Sequence, residues 1–389
     1  MERVDCSERE QWQEKAERIG FYFHSIGDGY WHERAYYRFS AREVDLIEEA
    51  TAELHQRCLE AVDHIVRKDW FERLAIPLHV VPHILRSWVQ REPALYGRFD
   101  LAFDGERQIK MLEYNADTPT SLLEASVMQW DWLRDRAPRC DQFNSLHERL
   151  VAAWGKRVLP GQLLHFAALK GSDEDLGTIE YLRDTAIEAG MATRTLFVDE
   201  IAWEQSRQCF VDTHGSRIDS LFKLYPWEWM IHDPFYKLIE QCSVRVIEPA
   251  WKMLLSNKAI LPILWELFPG HPHLLPAYFE PERLQKGWVK KPFLSREGAN
   301  ITIHSARGDE DFCTDGDYGQ EGYIYQQLFP LPKLGGKHPV IGSWVVDDAP
   351  AGMGIREDST LVTKNTSWFV PHCFEVDRAA TEVLGLSNR

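Results

Sequence analysis

The run LLHFAAL (163–169) constrains the fold more than any other stretch of the 389 residues. It is an apolar run of strand length. An acidic turn follows it, then helical spacing over about 178–189 ended by Gly190, then the strand pattern TRTLFVD (193–199). Two strands joined through a helix lie parallel in one sheet, and the crossover is right-handed. SLFKLY (220–225) and VRVIEP (244–249) supply further strands of the same kind.

The texture differs on either side of this unit. Ser40 and Glu43 have the spacing of a capping box, and apolar residues at Val44, Ile47, Leu54, Leu59, Val62 and Ile65 predict an amphipathic helix over about 40–67. A second helix is expected over 83–90. FDLAFD (99–104) and QIKMLEYN (108–115) follow as strands joined at Asp104-Gly105-Glu106, and SLLEASVMQWDWL (121–133) returns to helical spacing. Ser256 is expected to cap the helix NKAILPILWELF. β-type runs then dominate: WVKKPFL (288–294), NITIH (300–304), YIYQQLF (323–329), PVIGSWVVD (339–347) and GMGIRE (352–357), with a hairpin turn at Asp348–Gly352. The expected division is an N-terminal segment 1–155, a parallel α/β lobe 156–250 and a C-terminal segment 251–389 rich in antiparallel sheet.

Bulk properties exclude some classes of function. A net charge of −16 opposes a nucleic-acid groove and suits a cationic partner. No stretch has the length and apolarity of a membrane span, and residues 1–20 carry charge instead of a signal core. Seven scattered cysteines without metal or redox spacing fit a reducing cytoplasm. Histidines 79, 83 and 165 stand among apolar residues, and His271 and His273 flank a proline; all are expected to be structural.

Three constellations could carry chemistry. Side chains two apart on a strand share a face, so Arg98 joins Asp100 and Glu113 joins Asn115. Two neighbouring strands would gather one guanidinium, two carboxylates and an amide, hard oxygen donors of the kind Mg²⁺ takes. A solvated strand face with a salt bridge has the same spacing. In WVKKPFLSREGANI (288–301), Lys290 and Lys291 end a strand and Ser295–Asn300 forms a polar loop containing Gly298. Lysine charge and small-residue loops serve phosphates, although no Walker motif is present. Arg356, in GMGIRED beside Lys364, serves an anion or a structural carboxylate equally well. Lys258, placed at the start of a helix, opposes the helix dipole and so points to an anion nearby.

MLEYNADTPTSLLEA (111–125), SNKAILPILWELFPGHP (256–272), VKKPFLSREGANI (289–301), YQQLFPLP (325–332) and GSWVVDDAPAGMGIREDSTLVTK (342–364) together resemble the glutathionylspermidine synthase family, in its single-domain acid–amine ligase branch. The resemblance spans about Phe21 to His372. It implies an ATP-grasp fold, with a pre-ATP-grasp-like central lobe, that clamps ATP between antiparallel sheets. It also implies a ligase that activates a carboxylate as an acylphosphate for attack by an amine. By position, Asp100, Glu113 and Asn115 would hold Mg²⁺, and Arg98 and Arg356 would stabilise the reacting anions. Lys258 and Lys291 would bind ATP phosphates beneath the Ser295–Asn300 loop, with Arg296 and Gly298. Gln326, Gln327 and Leu328 would line the adenine slot, flanked by Leu361, Val362 and Thr363. Thr118 and Glu228 would face the acid, and Glu174 and Asp175 a polyamine.

The family pattern also implies a homodimer. Three departures matter. No amidase domain precedes this unit, so a hydrolase half-reaction is not expected. The family's W-E-T segment is Trp227-Glu228-Trp229 here, which puts glutathione in question, and an expected acidic substrate contact aligns with Trp368. A phosphotransferase or ATPase on the same fold, or a non-catalytic nucleotide-binding protein, are the alternative readings.

Overall fold

The computed structural model describes residues 1–27, 29–158, 161–305 and 311–375. It is a mixed α/β fold of parallel and antiparallel sheets. The helix Ala41–Lys68 begins on the expected capping box: the Ser40 side chain accepts from the Glu43 amide, and Glu43 accepts from the Ser40 amide. Its buried stripe recurs every three or four residues, from Val44 and Ile47 through Leu54, Cys58 and Val62 to Ile65. That stripe packs on a five-stranded antiparallel sheet. The sheet's order is Trp368–Val370, Ala349–Asp358, His338–Val346, Tyr96–Phe103 and Ile109–Asn115. The central parallel sheet keeps within the expected segment 156–250, whereas strands from the first and third segments pair directly in this antiparallel sheet. Phe99 and Tyr114 stack at 3.8 Å on the helix side, so their neighbours Arg98, Asp100, Glu113 and Asn115 point to the opposite face.

The central unit is parallel throughout, in the order Arg245–Ile247, Ser220–Leu224, Leu163–Ala168 and Ala192–Phe197. Leu164, Phe166, Phe222 and Ile247 enter one core cluster while Ala167, Leu221 and Val246 enter another, so this sheet is buried on both faces. The helix Asp173–Glu188 packs against it and starts five residues earlier than its apolar spacing predicts. The acidic stretch is its first turn, capped by Ser172, whose hydroxyl accepts from the Asp175 amide at 3.1 Å. Carboxylates favour that position because free amides and the helix dipole present positive charge there.

A second antiparallel sheet runs Ala277–Tyr278, Tyr323–Gln327, Trp288–Pro292, Thr302–His304 and Phe312–Cys313. Three local expectations are corrected. Ser256 ends the short helix Met253–Ser256, and Asn257 accepts from the Ala259 amide at 2.9 Å before the helix Ile260–Leu267. Lys258 thus precedes that helix. The hairpin turns at Asp347 and Asp348, with φ of 52° and 62°, because two left-handed residues match the twist of paired strands. The expected helix over 121–133 opens into a π turn, Glu124–Met128, before the helix Gln129–Arg136. The five histidines expected to be structural fall outside the cleft; His165, fully buried, meets Asp212 at 3.1 Å.

His372 joins these layers. Its Nδ1 lies 2.9 Å from Gln129 Oε1, and its carbonyl accepts from Gln142. Burial pushes its pKa down to about 3, so the folded state keeps it neutral where the unfolded chain is protonated. This contribution to stability is complete above about pH 6.5 and declines as pH falls toward about 3. Urea unfolding at pH 7 and pH 5 should show the advantage of the unsubstituted protein over His372→Gln shrinking by about 2 kcal/mol. A constant difference would contradict the buried neutral imidazole.

Candidate active site

The two antiparallel sheets and the parallel lobe enclose a cleft of about 470 Å³. Its floor is the polar face of the first sheet, where Arg98 stands opposite Asn115 and Asp100 opposite Glu113. Arg98 lies over Gly342, where a Cβ would come within 2.9 Å of its Cδ. Its Nε donates to Asp100 Oδ1 at 2.8 Å and its Nη1 to the Thr120 carbonyl at 2.7 Å. Asn115 Nδ2 donates to Glu113 Oε1 at 3.3 Å.

Two lysines reach this floor from the second half of the chain. Lys258 Nζ lies 3.2 Å from Glu113 Oε2 and donates to the Ser295 carbonyl at 2.9 Å. The anion expected near Lys258 is therefore Glu113. Lys291 Nζ donates to the Leu112 carbonyl and to Gln326 Oε1, each at 2.8 Å. Burial raises the Glu113 carboxyl, but the charges of Lys258 and Lys291 outweigh it and hold the group at about 2. Burial also pushes Lys291 down to about 8 and Asp100 upward.

The wall is apolar. Val289 and Gln326 are directly paired, and Val289, Ile301, Ile303, Leu328 and Val362 pack together beside Gln327, Leu361 and Thr363. Spacing in the sequence did not single out Val289, Ile301 or Ile303, although their alternation with Lys290 and Thr302 carries the signal. Lys290 points away, over the Tyr323 ring. The Ser295–Asn300 loop closes against residues 361–363: a Cβ on Gly298, whose φ is +71°, would sit 2.5 Å from Val362 Cγ1 and 2.8 Å from the Thr363 carbonyl.

Arg296 ties the loop to the parallel lobe. It donates to Glu228 Oε1 at 2.7 Å and to Thr118 Oγ1 at 3.0 Å, and its guanidinium lies 5.5 Å from the Trp229 ring centre. Thr118 and Trp229 line the cleft; Glu228, the counter-ion of Arg296, lines a small adjoining pocket with Asn115, Thr118 and Lys258. Glu174 and Asp175 line the far end from the first turn of their helix. Burial, then the neighbouring Glu174, raises Asp175 to about 6. Arg356 reaches the same end, but most of its donors hold the carbonyls of Lys364, Asn365 and Ser367. Trp368 is not in the cleft. It stacks on His32 at 4.1 Å beneath Lys337, so its identity removes no contact from the site.

Among the described residues no three His, Cys, Asp or Glu side chains cluster to hold a metal ion. The available donors are two carboxylates and an amide oxygen. No helix among them is long and apolar enough to cross a membrane.

The family model described as "Glutathionylspermidine synthase preATP-grasp" matches residues 3–375. A Haemophilus influenzae protein named "Putative acid--amine ligase" is 44% identical over 373 residues, 92% of this chain and 95% of that one. A trypanothione synthetase of Crithidia fasciculata is 31% identical, covering 80% of this chain and 52% of its own. The bifunctional glutathionylspermidine synthetase/amidase of Escherichia coli is 30% identical, covering 86% and 58% respectively. The chain thus spans a little over half the length of these last two relatives.

If Arg296 is what pins the loop, Arg296→Ala should raise amide exchange across residues 295–300 about tenfold, about 1.4 kcal/mol of opening free energy. The strand Trp288–Pro292 should keep its protection. Equal exchange in both proteins would show that the Gly298 contact alone holds the loop.

Proposed function

Because this chain belongs to the glutathionylspermidine synthase family, in which its relatives are ligases, we propose that it is an ATP-dependent ligase joining a carboxylic acid to an amine. One observation carries the reading: Asp100, Glu113 and Asn115 share a cleft with Lys258, Lys291, Arg98 and Arg356. This combination suits phosphoryl transfer, which is mainly positioning and neutralisation of phosphate charge.

The donor set fits Mg²⁺. That ion usually takes one or two carboxylates and completes its octahedron with water and phosphate oxygens, so two carboxylates and an amide suffice. Asp100, Glu113 and Asn115 would hold it, and it would supply positive charge against the ATP phosphates. When phosphates enter, Lys258 exchanges its contact with Glu113 for them and Lys291 approaches from the second sheet. The adenine fits the apolar wall of Val289, Ile303, Leu328 and Val362, with Gln326 and Gln327 at its edge. Gly298 lets the loop close over the phosphates.

Arg98 then faces the acid's carboxylate as it takes the phosphoryl group, and Arg356 faces the developing anion. The amine displaces phosphate from the acylphosphate. Glu174 and Asp175, two adjacent carboxylates at the end of the cleft, suit a cationic amine, with Arg296 the opposing charge near Asp175. Thr118 and Trp229 border the place left for the acid, with a ring that narrows it. A glutathione-like peptide and a polyamine are the substrates this arrangement suggests.

The test is ADP release against short γ-glutamyl peptides and amino acids, crossed with polyamines and simple amines. Release that needs both an acid and an amine supports the ligase; a stable phosphorylated acid formed without amine means a phosphotransferase. Asn115→Ala and Arg356→Ala should each lower the rate about 100-fold. Glu113→Gln should also abolish the extra thermal stabilisation by ATP with Mg²⁺ over ATP alone. Persistence of that stabilisation would remove Glu113 from the metal site.

A further inference from the structure

Behind the far end of the cleft lies a chain of hydrogen bonds that the proposed reaction has not used. Arg356 Nη1 donates to Ser121 Oγ at 3.4 Å, Ser121 Oγ is 2.9 Å from the Tyr30 hydroxyl, and Tyr30 donates to Glu124 Oε1 at 2.6 Å. With Tyr30 donating to the carboxylate, Ser121 must donate to Tyr30, so every proton in the chain points toward Glu124. Its outer end, Ser121, is nearly fully buried and is reached only through a side pocket of the cleft. Ser121 lines a small pocket of about 30 Å³ that shares Arg98, Asp100, Arg356 and Thr363 with the main cleft.

The inner end is unusual. Glu124 has no exposed surface, and its second oxygen, Oε2, is buried without a partner among the described residues. An ionised carboxylate with one bare buried oxygen is costly, and taking up a proton relieves the cost. The backbone is shaped for the arrangement: Ser121 is held at φ 69° and Glu124 opens the π turn, two distortions that collect at functional sites. The titratable and charged groups facing Glu124 are Tyr30, Glu174 and Arg356. Burial, then the charge of Glu174, raises it to about 7.

We propose that Ser121, Tyr30 and Glu124 form a proton relay that draws the proton from the attacking amine into the interior. The proposal rests on the ligase reading above. The amine nitrogen forms the bond to the acyl carbon, and the carbon–oxygen bond to phosphate breaks with its electron pair leaving on phosphate. The amine proton passes to Ser121 Oγ, the Ser121 proton to Tyr30, and the Tyr30 proton to Glu124, which becomes a neutral acid. Glu124 is a positioning residue in this scheme, since it acts through the two hydroxyls.

The experiment compares spermidine with hydroxylamine, which is already neutral at pH 7 and needs no base before attack. Glutathione, γ-glutamyl dipeptides and free amino acids serve as acids. In Glu124→Gln, which keeps an acceptor for Tyr30, and in Tyr30→Phe, the ratio of spermidine-dependent to hydroxylamine-dependent ADP release should fall about 100-fold. In the unsubstituted enzyme the spermidine rate should fall as pH drops through about 7, where Glu124 takes up its proton, and Glu124→Gln should lose that limb. An unchanged ratio in both folded variants overturns the relay and leaves the ligase standing. No amine-dependent release by the unsubstituted enzyme overturns both.

Discussion

The site depends on one pairing, that of Tyr96–Phe103 with His338–Val346 across more than two hundred residues of chain. This register puts Gly342 beside Asp100, and Gly342 is the space over which Arg98 lies. A side chain there would lift the guanidinium from Asp100 and Thr120. The next strand brings Arg356 to the same face, while the helix Ala41–Lys68 covers the other. One face of the sheet is therefore packed and the other remains free to gather charge.

Charge of both signs then has to coexist in a partly buried place. Glu113 stays ionised because Lys258 and Lys291 oppose the effect of burial, and Lys291 in turn sits well below the usual ammonium range. Such an arrangement is a poor source of stability, since desolvation offsets much of the attraction. It suits a site whose lysines exchange one anion for another. The far end differs in kind. Glu124, Glu174 and Asp175 collect there, and burial raises Glu124 and Asp175 despite the opposing charges of Arg356 and Arg296. One end thus gathers lysines around carboxylates, and the other gathers carboxyl groups.

Several of these features were legible in the sequence because they rest on local periodicity. Alternation along a strand placed Arg98 with Asp100 and Glu113 with Asn115, and Ser40 and Glu43 announced their helix. Lys258 was marked by its conflict with a helix dipole, which Glu113 explains. Where local rules misled, a neighbour had taken over. Asn257 displaced Ser256 as the cap, and Trp368 turned away from the cleft to stack on His32. Glu124 was visible only as one carboxyl on a helical stretch, because a π turn cannot be read from spacing.

The sequence by itself determined the alternating elements, the parallel unit at the centre, the family, and most side chains that meet in the cleft. Tertiary structure alone decided that strands from the two ends of the chain form one sheet, that Glu228 pairs with Arg296, and that Tyr30 reaches Glu124. The reason is physical. Periodicity reports which face of an element is buried, whereas pairing partners, charge compensation and the direction of a buried hydroxyl depend on what distant segments bring to that face.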